Sequence, residues 1–254
     1  MSRITVRNQG QVEDSGKVNW RGDQVSTPQG GQSIYDTSAI KLADLGSRKV
    51  VGDRVFRYAK AGAALAAGDL LETKAVTLNS VTAGLASPAG GKVFAFYAAT
   101  AVTADFFAEG NLISQSGTAA NMGHYYRIKS NPVNAAGTSD MNVELYDRLE
   151  KIANVTDEWT ITQNAYANVQ QQTAAAGVSV GFAPVAVSSG DYCWLQTWGP
   201  ASVKGGAVAA GLALIPGATG AVSAPVATTG IPIGFTMSII TASQRGVAFV
   251  QIAP

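Results

Sequence analysis

The sequence predicts an all-β protein of two small barrel- or sandwich-like lobes behind an extended N-terminal arm, with little helix. Three observations carry that expectation. From Ile152 to Pro254 only five residues are charged: Asp157, Glu158, Asp191, Lys204 and Arg245. The same stretch is cut by the turn signals Ser189-Gly190, Gly199-Pro200, Gly205-Gly206, Pro216-Gly217 and Gly230, close to the roughly 8–12-residue spacing of an all-β domain. From Val50 onward the apolar residues recur with a period of two, the strand period. A β-surface with so few charges is expected to face another protein more than open water.

The arm, residues 1–48, is polar and rich in Gln, Gly and Ser, with Trp20 and Tyr35 as its aromatics. Seven cations, Arg3, Arg7, Lys17, Arg21, Lys41, Arg48 and Lys49, lie on it or at its boundary. Such a segment buries too little apolar surface to order itself, so it is either a disordered tail or an arm that orders on a partner. Trp20 favours the arm, since a lone aromatic in polar sequence needs a pocket. Within it, Asp36-Thr37-Ser38 resembles an N-cap and Gly46 a stop, which predicts a short helix near 38–45.

A first β-lobe is expected over 49–150. Its strands are predicted around Val55–Lys60, Leu70–Val76, Val93–Tyr97, Leu112–Gln115, Tyr125–Lys129 and Met141–Tyr146. Arg148–Ala153 reads as a short helical connection. A second lobe, 151–254, is predicted to hold strands at Glu158–Thr162, Val178–Val180, Val185–Val187, Tyr192–Trp198, Leu212–Ile215, Ile231–Phe235, Met237–Ile240 and Val247–Ile252. The two halves echo one another. Phe56–Gly62 leads into Ala64–Leu71, and Trp194–Pro200 leads into Ala207–Leu214; in each an aromatic strand precedes an Ala-Ala-Gly turn. Two copies are too few for a solenoid and suit two related lobes, or reflect Ala and Gly bias alone.

Composition narrows the chemistry. Charged residues make up 14% of the 254 and apolar residues 46%, with a net charge of +1. Bulk electrostatics therefore gives no reason to expect a nucleic-acid partner. The single cysteine, Cys193, rules out an internal disulfide framework and a multi-thiolate metal site, and its apolar surroundings read as core. The opening MSRITVRNQGQVEDSG has no apolar h-region, so no secretory leader is expected. No uninterrupted apolar run approaches the about 18 residues of a membrane span.

Motifs for catalysis are few. His124 is the one histidine, so a His-based zinc site or a Ser-His-Asp triad would rest on it alone, and a solvated or hydrogen-bonded histidine is the expectation. The carboxylate pairs Glu13-Asp14, Asp157-Glu158 and Glu144 with Asp147 read as polar or turn residues. Arg21-Gly22-Asp23 and Asn154-Val155-Thr156 match an adhesion tripeptide and a glycosylation sequon that chance supplies in many chains. No enzyme activity, cofactor or metal is expected.

Several stretches together resemble the head decoration, or cement, proteins of tailed bacteriophages. They are Leu45–Gly62 (LGSRKVVGDRVFRYAKAG), Ala64–Leu71 (ALAAGDLL), Gly123–Pro132 (GHYYRIKSNP), Val143–Leu149 (VELYDRL), Gly190–Pro200 (GDYCWLQTWGP) and the closing Ile233-Gly234 with Val247–Ile252. The resemblance covers most of the chain from about residue 40. It implies a structural virion protein that binds the exterior of an expanded icosahedral capsid and bridges neighbouring major capsid subunits. Its partners would be the major capsid protein and itself, as a homotrimer, with no direct nucleic-acid or membrane contact. It would be made in the bacterial host cytoplasm and reside on the capsid exterior. Since such proteins carry no catalytic residues, none transfer. The basic arm supplies the capsid-contact candidates Arg3, Arg7, Lys17, Trp20, Arg21, Arg48 and Lys49, which would meet acidic capsid loops. The alternative is a head-fibre or tail-associated adhesin for host glycans, with Trp194 and Trp198 as a sugar platform; the same pair also reads as a core face.

Overall fold

The computed structural model describes residues 32–97, 101–116, 123–134, 140–173, 177–225, 231–242 and 244–254. Among them there is no helix, and the strands form two curled antiparallel sheets. The described chain divides into two compact units: residues through Thr73 together with Val169–Pro254, and Lys74–Asn168.

The first unit contains β1 (Arg48–Val51), β2 (Arg54–Lys60), β3 (Leu70–Thr73), β10 (Val169–Gln171), β11 (Ser179–Phe182), β12 (Tyr192–Lys204), β13 (Ala213–Pro216), β14 (Val222–Ser223), β15 (Gly234–Thr236) and β16 (Arg245–Gln251). Their order is β10-β3-β11-β12-β16-β15-β13-β14, and the β1–β2 hairpin joins through β2 to β12. β12 is the spine. Its first half pairs with β2 in a register that sets Trp194 against Tyr58 and Gln196 against Phe56. Its second half pairs with β16 from Trp198–Gln251 to Lys204–Arg245. Two cores result. Phe56, Tyr58, Trp194, Ile34 and Ala43 close one, and Leu70, Phe182, Val203, Leu214, Ile240 and Val250 are among those closing the other.

The second unit holds β4 (Thr77–Thr82), β5 (Val93–Tyr97), β6 (Asn111–Ser116), β7 (Tyr125–Ser130), β8 (Asp140–Leu145) and β9 (Glu158–Thr162), in the order β4-β9-β6-β7-β8-β5. Its core is aromatic, with Trp159 5.0 Å from Phe94 and 6.3 Å from Tyr126 between ring centroids, and Phe96, Phe107, Leu112, Ile128 and Ile161 buried around them.

The expected division at 150/151 is corrected. β9, assigned by sequence to the second lobe, pairs with β4 and β6, while β2 and β3 of the expected first lobe pair with β12 and with β10 and β11. The lobes are nested in the chain, because the aromatic strands β2 and β12 select each other across more than a hundred residues. Both halves of the sequence echo fall in the first unit, so it does not mark two lobes. The arm is also shorter than expected at its C-terminal end: Gln32, Ile34 and Ala43 are buried.

The helix expected at 38–45 does not form. Ser38 exchanges backbone hydrogen bonds with Tyr192 (3.0 and 2.7 Å), and the Leu42 amide donates to the Tyr58 hydroxyl (3.1 Å). Donors that would close a first helical turn are thus held by the sheet. Arg148–Ala153 is non-helical for the same reason, since Leu149 donates to Gly91 and Ala153 to Ser87.

One device recurs through both units. A residue forms an isolated antiparallel bridge, a four-residue turn follows, and a strand leaves. The bridges are Leu65–Val187, Ser87–Ala153 and Val208–Ile240, each closed by two reciprocal N–H···O bonds of 2.9–3.0 Å. Gly68, Gly90, Gly190 and Gly211 lie three residues after their bridge residues with φ between 79° and 90°, the third position of a type II turn. Each of their amides donates to the residue four before the bridge partner: Ala183, Leu149, Ala61 and Thr236.

Candidate interaction surfaces

The β1–β2 hairpin concentrates cations. Lys49 donates to the Gln32 carbonyl (2.7 Å) and lies over the Trp194 ring, 5.1 Å from its centroid. Arg54 donates to the Tyr35 hydroxyl (3.2 Å) and covers Phe56. Arg57 donates to the Gly46 and Pro254 carbonyl oxygens, and Lys60 sits over Tyr192. Carbonyls and rings hold these four side chains in place without cancelling their charge. Burial lowers the Lys49 pKa from its ordinary value, and the nearby Asp36 only partly offsets that shift. Arg48 is exposed at the start of β1, which pairs only with β2 among the described strands. The structure therefore brings Arg48 and Lys49 of the predicted contact set together. Arg3, Arg7, Lys17, Trp20 and Arg21 lie outside the described residues, as does Arg21-Gly22-Asp23.

The outer faces of the two sheets differ sharply in chemistry. In the first unit, directly opposed residues form the row Pro200–Phe249–Phe235–Ala213 across β12, β16, β15 and β13. Their neighbours along the strands, Ala201, Ala248, Val250, Gly234 and Leu214, are buried, so alternation turns the row outward. Phe235 stacks on Phe249 at 5.4 Å with 6° between ring planes, and Trp198 meets Phe249 edge-on at 5.8 Å. Val247 and Met237, which lies beside it, are 44% and 53% exposed. In the second unit the matching row is Arg127–Asn111–Thr162–Thr77 across β7, β6, β9 and β4. Beside it, Lys129 pairs with Glu144 at 2.8 Å and Tyr125 donates to Asn111. One sheet face is dressed for water and the other is not. The sequence lacked the register that assembles the apolar row, whose members lie in four separate strands.

Other candidates resolve into structural roles. Trp194 is 3% exposed and belongs to the core, whereas Trp198 reaches the outer face. A bulge between Gln196 and Trp198 separates them, with Gln196 Nε2 donating to the Trp198 and Pro200 carbonyls. Burial pushes the Cys193 thiol up to about 12, with a smaller contribution from Asp191. The Tyr126 hydroxyl accepts from the Glu150 amide, so its proton is directed at His124 Nδ1, 3.1 Å away. Asp157, fully buried, accepts from the Asn154 amide and closes a turn. Among the described residues, no group of three or more His, Cys, Asp or Glu is placed to hold a metal ion.

No protein-family model, curated protein or solved structure matches the chain.

Proposed function

We propose that this chain is a structural virion protein that binds the outside of an icosahedral phage head, cements neighbouring major capsid subunits and stabilises the expanded head. The observation that carries the reading is the resemblance of its strand sequences to head decoration proteins. It is supported by a fold whose two distinctive surfaces suit protein contact better than chemistry. The β1–β2 hairpin with Arg48 and Lys49, continued by the basic residues of 1–31, offers positive charge to acidic capsid loops. The uncharged outer row suits contacts that exclude water. Many copies, each stabilising the expanded head by mass action, would make a thin shell resist internal pressure. A glycan-binding adhesin has less support, because the buried Trp194 cannot share a sugar platform with Trp198.

The test is co-sedimentation of the purified protein with expanded heads lacking it. Saturable binding at hundreds of copies per head, with heads then surviving heat or low salt better, is the expected result. Binding at only a few vertices, or none, would refute the cement reading. A variant lacking residues 1–31 is expected to bind heads more weakly.

A further inference from the structure

We infer that the outward row Pro200–Phe249–Phe235–Ala213, with Trp198, Val247 and Met237 beside it, is the surface through which a second copy of this chain docks. The inference names the surface for the self-association included in the proposed function, and rests on that reading only for its setting. Its grounds are register and charge.

Four strands contribute one continuous apolar row, flanked by an edge-on tryptophan and two exposed aliphatic side chains. Strands lie about 4.8 Å apart and same-face residues about 6.8 Å apart. Four strands by three outward rows therefore give a footprint on the order of 400 Å², within the about 300–600 Å² of the largest, often functional, apolar patches on monomers. That is about half of the roughly 800 Å² per partner in a standard interface. It can serve as the dry centre of a contact whose rim comes from surrounding polar residues.

Charge decides the occupant. The cations closing the far end of the face, the opposed pair Lys204 and Arg245, are turned to the chain's own oxygens. Lys204 donates to the Thr219 carbonyl (3.0 Å) and pairs with Asp69, and Arg245 Nε donates to the Ala67 carbonyl (2.7 Å). The row presents no charge for an acidic or basic partner to read. It demands an equally uncharged face, and a second copy supplies one. The second unit's Arg127–Asn111–Thr162–Thr77 row does not, because burying it would strand polar groups.

Sedimentation velocity across a concentration series tests the inference, using the full chain. Wild type is expected to associate with increasing concentration. Phe235→Lys and, independently, Val247→Lys are expected to raise the dissociation constant by at least about thirtyfold, the scale of an interface hot spot. Thr162→Lys, on the polar face, is the control and should leave it unchanged. Both test positions are more than 40% exposed, so the variants are expected to fold, and circular dichroism checks each. If one variant unfolds, the other decides. A wild type that is monomeric at every concentration would overturn the inference and leave the row to residues 1–31 or to a different protein. Association untouched by both lysines, or weakened equally by the control, would overturn it too. Head binding measured on the same proteins separates the two readings: variants that stay monomeric yet saturate heads retain the capsid reading, and self-association without head binding retains this one alone.

Discussion

Removing Lys204 should unbalance the most deeply buried ion pair described in the first unit. Asp69 is 1% exposed, and Gly220 packs so close that an added Cβ there would come within 2.8 Å of the Asp69 carboxyl carbon. Asp69 Oδ2 accepts from Gln171 Nε2 at 2.7 Å, while Oδ1 has no hydrogen bond and meets Lys204 Nζ at 3.4 Å. At that separation and an effective dielectric near 20, the Coulomb attraction is about 5 kcal/mol. The Lys204 side chain is 30% exposed, so solvent screens part of this, and a net loss of about 2–3 kcal/mol is expected for Lys204→Met. For a domain of this size that lowers the melting temperature by roughly 5–10 °C. Neutralising the stranded carboxylate should restore part of the loss, since Asp69→Asn keeps an acceptor for Gln171. The double variant is therefore expected to be at least about 1 kcal/mol more stable than Lys204→Met alone. Urea unfolding of the four proteins of the cycle measures both quantities. Lys204→Met within about 0.5 kcal/mol of wild type, or a double variant no better than the single, would refute the argument.

Three further outcomes follow from particular contacts. In Gly110→Ala the new Cβ would lie 2.2 Å from the Thr162 carbonyl oxygen and 2.8 Å from that of Phe107, both backbone. A loss beyond the about 3 kcal/mol of ordinary overpacking is expected, and a melting temperature unchanged by the substitution would show that the β6 entrance is not this tight. Cys193, with its thiol pushed up to about 12 mainly by burial, should resist a thiol reagent at pH 8 in the native protein and react at once in denaturant; fast native labelling would contradict the burial. Glu144 is held below its ordinary pKa chiefly by the hydrogen bond from Lys129. Its contribution is therefore present above about pH 4.5 and lost as pH falls through the lowered value. The stability difference between wild type and Glu144→Gln should accordingly shrink from pH 6 to pH 3, and a pH-independent difference would count against the pair.

The alternation of Val55–Lys60, Tyr125–Lys129 and Val93–Tyr97 was legible because side chains on one strand report their own faces. β2, β7 and β5 lie where that period places them. Pairing partners were not legible. Nothing in Glu158–Thr162 announces that it sits between Thr77–Thr82 and Asn111–Ser116, since register is fixed by long-range packing around Trp159. The expected helix at 38–45 failed for a related reason: its capping signal was real, but Tyr192 and Tyr58 offered its amides better partners. Arg48 and Lys49 were visible as cations. The apolar row was invisible, because Pro200, Phe249, Phe235 and Ala213 meet only once four strands are in register. Trp194 and Trp198 share parity in sequence, and the bulge after Gln196 is what gives them different environments.

The Ala-Ala-Gly echo was seen as a repeat and is better understood as a turn requirement, which makes it testable at four equivalent glycines. Gly90, Gly190 and Gly211 have left-handed φ of 79°–90° with nothing within 4 Å of an added Cβ. Alanine there meets only backbone strain, so each should cost about 1–2 kcal/mol. Gly68 shares the conformation, but its Cβ would come within 2.8 Å of Arg245 Nε, the atom that donates to Ala67. Gly68→Ala should therefore cost more than the other three by up to about 1 kcal/mol, the worth of one partly exposed hydrogen bond. The turn after Ala153 is the internal control. Its third position is Thr156, which is not among the residues of positive φ, and Asp157 closes it by bonding to Asn154. Those are the marks of a type I turn, which favours Asn or Asp at its first position. Thr156→Gly should thus destabilise by about 0.5–1 kcal/mol through backbone entropy alone. A stabilising Thr156→Gly would mean that this threonine is strained into the left-handed region. The same bridge-and-turn device would then be built one way throughout the chain, where the dihedrals now indicate two.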